Sequence, residues 1–173
     1  MLLPLIKENK MWLGNGFHAG NAYFFTPNTR EYASGVLDDK TGLVKFRNCH
    51  WFTNLDHGRR HQPLPLMTMV DNKKFNKKIQ KKETSYQKYD NYNAIEVPFT
   101  NAIPSDYNGV MGVPISFLDK YSPEQFEVIG SDYNIKEGLL SELVNYKWNG
   151  KMDRGYINNK RIFSRIFIRH KKK

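Results

Sequence analysis

The feature that most constrains the fold is the alternation of side chains between Arg161 and Arg169. In an extended strand, successive side chains point to opposite faces. One face would carry Ile162, Ser164, Ile166 and Ile168, and the other Arg161, Phe163, Arg165, Phe167 and Arg169. A helix would also align three of these arginines, but the isoleucine and phenylalanine residues favour a strand. We therefore predict a strand here, within a basic C-terminal strand and tail over residues 160–173.

Short elements follow one another through the rest of the sequence. Apolar alternation, turn residues and helix-start signals place them. Strands are predicted over 11–13, 22–26, 43–53, 94–97 and 126–130. Residues 4–10 are predicted to be the end of a helix, and residues 115–121 to form one or two helical turns. A helix-start signal lies at 122–125, and a peripheral helix is predicted around 139–144. This succession predicts one domain of mixed α/β (or α+β) class over residues 1–173, an incomplete sheet flanked by small helices.

Composition supports a folded protein. Hydrophobic residues make up 39 % of the chain and aromatic residues 14 %, which is enough apolar surface for a core. No run approaches the roughly 18 apolar residues of a membrane span, and charges follow the start too soon for a secretory signal. Cys49 is the only cysteine, which excludes an internal disulfide and a multi-cysteine zinc module. We expect a soluble, cytoplasmic protein.

Charge indicates the class of partner. The chain has 27 lysine and arginine residues against 17 acidic ones, a net charge of +10. A positive field of this size favours a polyanion such as a nucleic acid. The alternative is a soluble protein that is merely basic.

A lysine-rich insertion, residues 71–88, concentrates this charge. Six of its seven lysines form adjacent pairs: Lys73, Lys74, Lys77, Lys78, Lys81 and Lys82. On one helix they would cover an arc of about 180 degrees beside a narrow apolar stripe of Phe75 and Ile79. Like charges four residues apart destabilise an isolated helix, so an anion would help it form. The insertion is either an ordered nucleic-acid contact or a solvated, flexible loop.

Metal and nucleotide motifs are weak in this sequence. Cys49, His50, His57 and His61 lie close together, but two arginines stand between the last two histidines and disfavour a cation. We predict no metal. No usable glycine-rich phosphate loop and no serine or cysteine in a nucleophile setting is present.

Aromatic residues are interleaved with basic ones. Trp51 and Phe52 precede two arginines, Tyr86 and Tyr89 follow the lysines, and phenylalanine alternates with arginine at the end. Cations neutralise phosphates while flat rings stack on unpaired bases. The alternative is that these rings belong to the core.

Five segments carry a family resemblance. They are 4–14 (PLIKENKMWLG), 51–55 (WFTNL), 88–95 (KYDNYNAI), 106–121 (DYNGVMGVPISFLDKY) and 160–166 (KRIFSRI). Together they resemble the EcoRI-type adenine-specific DNA methyltransferases, over almost the whole chain. The resemblance implies N6-adenine methylation of double-stranded DNA, with S-adenosylmethionine as methyl donor on a Rossmann-like sheet.

The sequence departs from that family at the catalytic motifs. Members carry, upstream, a cofactor-binding glycine turn and an Asn-Pro-Pro-Phe or Asp-Pro-Pro-Tyr type loop that grips the adenine amino group. Neither is present here, and the segment 103–107 has the wrong order to replace the loop. Without them little would orient donor and acceptor, so we expect the chain alone to be inert. The match is to the C-terminal part of such an enzyme, and we expect a missing N-terminal half as a partner.

The resemblance also implies base flipping, which suggests roles for residues of this sequence. Trp51 or Phe52 is the candidate aromatic residue that stacks on a flipped adenine. Phosphate contacts are assigned to Arg59, Arg60, Lys73, Lys74, Lys77, Lys78, Lys81 and Lys82. Contacts with base edges are assigned to Tyr89, Asn91 and Tyr92, since asparagine can form two hydrogen bonds with adenine. No catalytic residue is assigned.

Two functions remain open at this point. The first is the DNA-binding and target-recognition portion of an adenine-specific methyltransferase of restriction-modification type. The second is a stand-alone basic nucleic-acid-binding protein, for DNA or RNA, without methyl transfer. A sheet cut short would expose an edge, so a homo-oligomer is expected, and no membrane partner is.

Overall fold

The computed structural model of the chain describes residues 2–14, 20–25 and 35–171. In these ranges the α-helices are α1 (Leu3–Lys7), α2 (Met69–Phe75), α3 (Lys77–Gln80) and α4 (Asp132–Lys136). The strands are β1 (Trp12–Leu13), β2 (Gly20–Phe24), β3 (Gly35–Asp38), β4 (Leu43–Cys49), β5 (Phe52–Thr53), β6 (Ile95–Glu96), β7 (Met111–Val113), β8 (Phe126–Ser131), β9 (Tyr156–Ile157), β10 (Lys160–Arg161) and β11 (Ile166–His170). Four 3-10 helices lie at Gly58–His61, Thr100–Ala102, Ile115–Lys120 and Ser141–Leu143. This part of the chain is therefore mixed α/β, with several small sheets and short helices, none long or apolar enough to cross a bilayer.

The largest sheet has the strand order β6–β7–β11–β8. β6 and β7 run parallel, and β11 is antiparallel to both of its neighbours. The predicted alternation is confirmed within β11, because Ile166 and Ile168 join one hydrophobic cluster while Phe167 joins a second. The strand is shorter than predicted, since residues 162–165 separate it from β10. β11 thus forms an inner strand of this sheet, with both faces buried.

Each face of this sheet supports one cluster of buried side chains. The first contains Leu3, Ile6, Ile95, Val97, Ile103, Met111, Val113, Phe117, Tyr121, Phe126, Val128, Ile166 and Ile168. The second contains Tyr89, Tyr92, Ala94, Ile135, Leu140, Leu143, Ile157 and Phe167. Helix α1 packs on the first cluster through its two buried residues, as an amphipathic helix does.

A buried ion pair lies beside the second cluster. The side chains of Arg165 and Glu96 are 8 % and 0 % exposed, and the arginine Nε donates to a Glu96 carboxylate oxygen at 3.0 Å. The Tyr89 hydroxyl donates to the same carboxylate. Buried Asp132 accepts from the Arg165 backbone N–H at 2.7 Å, and burial raises the pKa of this aspartate. These contacts hold β6 against the segment that enters β11.

A second sheet, β2–β4–β3, is antiparallel throughout. It confirms strands near 22–26 and 43–49, although Thr26 and the side chain of Cys49 lie outside the described residues. The predicted strand over 43–53 is broken, because β4 ends at Cys49 and β5 pairs instead with β1. Strand β3 is an addition to the predicted elements. Its Val36 and Leu37 are adjacent and both more than half exposed, so it lacks the apolar alternation of a half-buried strand.

Two helical predictions need correction. The segment 122–125 forms a turn into β8 rather than a helix start, with the N–H groups of Gln125 and Phe126 both donating to the Ser122 carbonyl. The peripheral helix lies earlier than predicted, at α4, and only a 3-10 turn forms at Ser141–Leu143. Gly138, with φ of +76°, follows the end of α4, in the left-handed region that glycine adopts without strain. The predictions at 4–10, 11–13, 94–97, 115–121 and 126–130 are confirmed.

Candidate nucleic-acid interface

The lysine-rich insertion contains two helices instead of one. Asn76 separates α2 from α3 with φ of −88° and ψ of 98°, and its side chain accepts from the Lys78 backbone N–H at 3.1 Å. Asparagine is a favoured N-cap, so it starts a new helix here. Phe75 is consequently 61 % exposed while Ile79 is buried. The predicted stripe of Phe75 and Ile79 along one helix is therefore wrong.

Polar contacts anchor the two helices. The buried side chain of Asn72 donates to the carbonyls of Met67 and Thr68, at 3.3 and 3.1 Å. The Gln80 side chain donates to the carbonyl of Lys74 at 2.7 Å and so connects α3 to α2. The lysines of α2 and α3 therefore project from a hydrogen-bonded helical segment.

The six paired lysines of the insertion are all exposed. Within residues 2–14, 20–25 and 35–171, no carboxylate lies within ion-pair distance of any of them. Some ammonium groups lie over aromatic rings, such as Lys74 over Phe75 at 5.0 Å and Lys78 over Phe99 at 5.8 Å. These ring contacts leave the positive charge uncompensated, so the insertion presents a surface that attracts anions.

Trp51 presents an aromatic face to solvent. Its side chain is 58 % exposed, and a Cβ at Gly14 would lie 3.0 Å from the indole nitrogen. The Gly14 N–H also donates to the Trp51 carbonyl at 2.9 Å. The indole therefore rests on the backbone of residue 14, and a larger residue there would push it away. Sequence reasoning missed this role of Gly14, for which a glycine directly after β1 is the available signal.

Phe52 differs from its neighbour. It is half-buried and packs against the first hydrophobic cluster. Trp51 comes directly before β5, and of this pair only its ring is mostly exposed. Of the two predicted stacking residues, Trp51 has the accessible ring.

The two arginines predicted to contact phosphates are engaged with the protein. The guanidinium of Arg60 lies 3.5 Å from the centre of the Trp12 ring, is 7 % exposed, and donates to Asp56 at 3.0 Å. A phosphate role for Arg60 does not fit this burial, because the group is not accessible to a duplex. Arg59 is half-buried and donates to Asp119 at 3.0 Å.

The neighbouring histidines also have partners. His61 contacts Glu124 through Nδ1 at 2.7 Å and Asp56 through Nε2 at 2.9 Å. Hydrogen bonds to these two carboxylates raise the pKa of His61. The Nε2 atom of His57 lies 3.1 Å from the Leu13 carbonyl. In the described part of the chain, no group of three or more histidine, cysteine or acidic side chains is arranged to hold a metal.

The predicted base-reading residues lie in the interior. Tyr89, Asn91 and Tyr92 are 2 %, 0 % and 0 % exposed. The amide of Asn91 donates to the Arg154 carbonyl at 2.7 Å and accepts from the Tyr156 N–H at 2.9 Å. Reading of base edges by these three does not fit, because their polar groups face the protein. Tyr89 and Tyr92 belong to the second cluster instead.

The described glycines do not form a cradle for S-adenosylmethionine. A Cβ at Gly112 or Gly155 would collide with the Tyr89 ring, and one at Gly130 would collide with Leu140. In the same way, Gly14 is covered by Trp51, Gly109 by Tyr107 and Gly150 by Trp148. A cofactor turn needs glycines that leave room for a ligand. Gly42, Gly58 and Gly138 do have open space, but they are far apart in the sequence and do not form one glycine-rich turn. The described glycines therefore do not fit the cofactor, and we derive no step of methyl transfer through them.

Comparison with known proteins identifies the family. The family model described as "Adenine-specific methyltransferase EcoRI" matches residues 1–171. The type II methyltransferase M.EcoRI of Escherichia coli is 42 % identical over 171 residues, which are 97 % of this chain and 45 % of that protein. M.MgeORF184P of Mycoplasma genitalium is 32 % identical, over 97 % of this chain and 52 % of its own length. M.MpnI of Mycoplasma pneumoniae is 30 % identical, over 98 % of this chain and 52 % of its own length.

The chain spans about half the length of these relatives, and it corresponds to the C-terminal part of the Escherichia coli protein. No solved structure matches it. The match extends over the candidate interface as well as the core, since it covers 171 of the 173 residues. The chain therefore belongs to the EcoRI family of adenine-specific methyltransferases.

Proposed function

We propose that this chain is the DNA-binding and target-recognition portion of an N6-adenine DNA methyltransferase in a restriction-modification system. Its partner would be double-stranded DNA in the cytoplasm, and the complete enzyme would use S-adenosylmethionine. The observation that carries the proposal is the set of six exposed lysines on the anchored helices α2 and α3 and the turn after them, none with a carboxylate partner in the described residues. Phosphate neutralisation by such groups supplies much of the affinity for duplex DNA.

Other residues receive roles within this proposal. Trp51 stacks on an unpaired adenine, because its ring is accessible to solvent and rests on the backbone of Gly14. Arg60 positions the Gly58–His61 turn on Trp12 instead of binding phosphate. The parallel pair β6–β7 supports membership of the larger sheet in a Rossmann-like methyltransferase sheet, since parallel strands are typical of such folds. Self-association stays a prediction.

Replacing Lys77 and Lys78 together by glutamine tests the phosphate role. Binding should weaken for all duplex sequences, because phosphate contacts are independent of base identity. The slope of log affinity against log salt should fall by about 1 for each phosphate that is no longer neutralised, hence by about 2. Fluorescence anisotropy with labelled duplexes at several salt concentrations measures both quantities.

Lys136 and Lys151 provide the matched control, since both are exposed and lie outside the insertion. Their double replacement by glutamine removes the same charge and should leave the salt slope closer to the original. An unchanged slope in the Lys77 and Lys78 variant would remove these residues from the interface. A higher affinity for RNA than for duplex DNA would favour the stand-alone nucleic-acid-binding function.

Methyl transfer should not occur with this chain alone. The sequence has no Pro-Pro-aromatic loop, and six of its described glycines are covered by side chains of the same protein. A filter assay with labelled S-adenosylmethionine and duplex DNA should therefore give background incorporation, with the Escherichia coli relative as positive control. Robust transfer by the chain would contradict the proposed dependence on a further portion.

A further inference from the structure

A cleft of about 620 Å³ lies between the turn that follows α3 and the β9–β10 hairpin. This volume is in the usual range for small-molecule sites. Lys82 lines one side, and Lys160, Arg161 and Phe163 line the other. The cleft thus joins one lysine of the insertion to the basic C-terminal segment, two regions far apart in the sequence.

Some of the charged side chains that line the cleft are paired, and others are not. Arg165 and Glu96 form the buried ion pair described above, and they compensate each other at the cleft wall. Arg161 is paired with Asp153 at 2.8 Å. Lys82, Lys160 and the carboxylate of Glu83 also line the cleft, and none of the three has an ion-pair partner among the described residues. The two ammonium groups outnumber this one carboxylate, which leaves a net positive charge for an anion.

Phe163 adds a flat apolar surface to the cleft. It is 79 % exposed and makes no ring contact within the described part of the chain. Its backbone neighbours are fixed, because the Ile162 N–H donates to the Gly155 carbonyl at 2.8 Å and the Ser164 hydroxyl donates to Asp132 at 2.9 Å. The ring is therefore held outwards by an anchored backbone.

The opposite walls are also rigid and polar. Asn158 and Asn159, with φ of 52° and 60°, form the two-residue turn of the β9–β10 hairpin, for which asparagine is well suited. The Asn158 amide donates across the cleft to Gln87 at 3.3 Å. The buried hydroxyl of Thr84, also in the lining, has no hydrogen-bond partner among the described residues. An unused polar atom and a rigid hairpin are features of a prepared ligand site.

We propose that this cleft binds an unstacked nucleotide of a DNA strand, with its phosphate between Lys82 and Lys160 and its base on Phe163. The inference rests on the proposed function and adds a second stacking site, separate from Trp51, which is not part of the lining. A nucleotide fits because it combines an anion with a flat ring, as the cleft combines cations with an exposed aromatic.

The test uses two labelled probes, a single-stranded dT6 oligonucleotide and a fully paired duplex. Phe163→Ala should weaken dT6 binding by about 5- to 150-fold, the loss expected for one base stack, and leave duplex binding within about twofold. Lys82→Gln with Lys160→Gln should weaken dT6 binding and lower its salt slope. Leu139→Ala and Lys136→Gln remove an exposed apolar and an exposed basic side chain elsewhere and should change neither value.

The outcomes separate the two proposals. If the wild-type chain binds the duplex and Phe163→Ala leaves dT6 binding unchanged, the nucleotide site in the cleft is rejected and the proposed function stands. Wild-type chain that binds neither probe overturns both. Displacement of dT6 by dTMP at equal nucleotide concentration would show that the ligand is a free nucleotide and would overturn the assignment to a strand.

Discussion

Replacing Arg165 by methionine should destabilise the protein by about 3–5 kcal/mol, because it leaves the carboxylate of Glu96 buried without its partner. The Glu96 side chain is 0 % exposed in the intact pair, so its carboxylate depends on the guanidinium rather than on water. For a chain of this size, the destabilisation corresponds to a fall in melting temperature of about 6–20 °C. Urea unfolding followed by circular dichroism measures the free energy.

Arg169 offers a matched control on the same strand, since it pairs with Glu127 at 2.7 Å but both side chains are about half exposed. Arg169→Met should cost about 0–1 kcal/mol, the usual value for a surface pair. If Arg165→Met does not fold, Arg165→Lys keeps the charge and removes the forked hydrogen bonds, so it should unfold at an intermediate urea concentration. Equal costs for the two methionine variants would contradict the structural role of the buried pair.

Replacing Trp51 by alanine should lower the affinity for a duplex with one mismatched adenine by about 5- to 150-fold, since one base–aromatic stack contributes about 1–3 kcal/mol. The stability of the fold should change little, because the indole is 58 % exposed. Anisotropy with the mismatched and the fully paired duplex, together with urea unfolding, measures these effects.

Two further variants sharpen this experiment. Gly14→Val places methyl groups where the indole rests, and should weaken binding of the mismatched duplex while leaving Trp51 in the sequence. Tyr146→Ala removes another ring that is 80 % exposed and should have no effect on DNA binding. A Trp51→Ala variant that binds as tightly as the original chain would exclude Trp51 from base stacking.

Local patterns predict the sheet better than the helices. The alternation in β11 is visible because a period of two survives whatever covers each face. The lysine spacing predicts one helix because the positions of charges do not reveal the break at Asn76, whose side chain caps α3. Strand β3 has two adjacent exposed apolar residues and no alternation to reveal it.

The burial of the predicted site residues depends on residues far away in the sequence. The segments around Tyr89 and Asn91 look polar and surface-like, but Gly112 and Gly155 leave room for the Tyr89 ring inside the protein. The sequence around Arg60 indicates a free cation, and only the fold brings Trp12 beneath it. The family, by contrast, follows from short segments spread over the chain, since those segments are properties of the sequence alone.

The position of β11 between β7 and β8 affects folding during synthesis. β8 pairs with neither β6 nor β7, so the larger sheet cannot close until Ile166–His170 has left the ribosome. Until then, the hydrogen-bonding edges of β7 and β8 lack their partner strand. This sheet therefore closes only after β11 has been synthesised, and a chaperone that shields the nascent chain would have the greatest effect before that point.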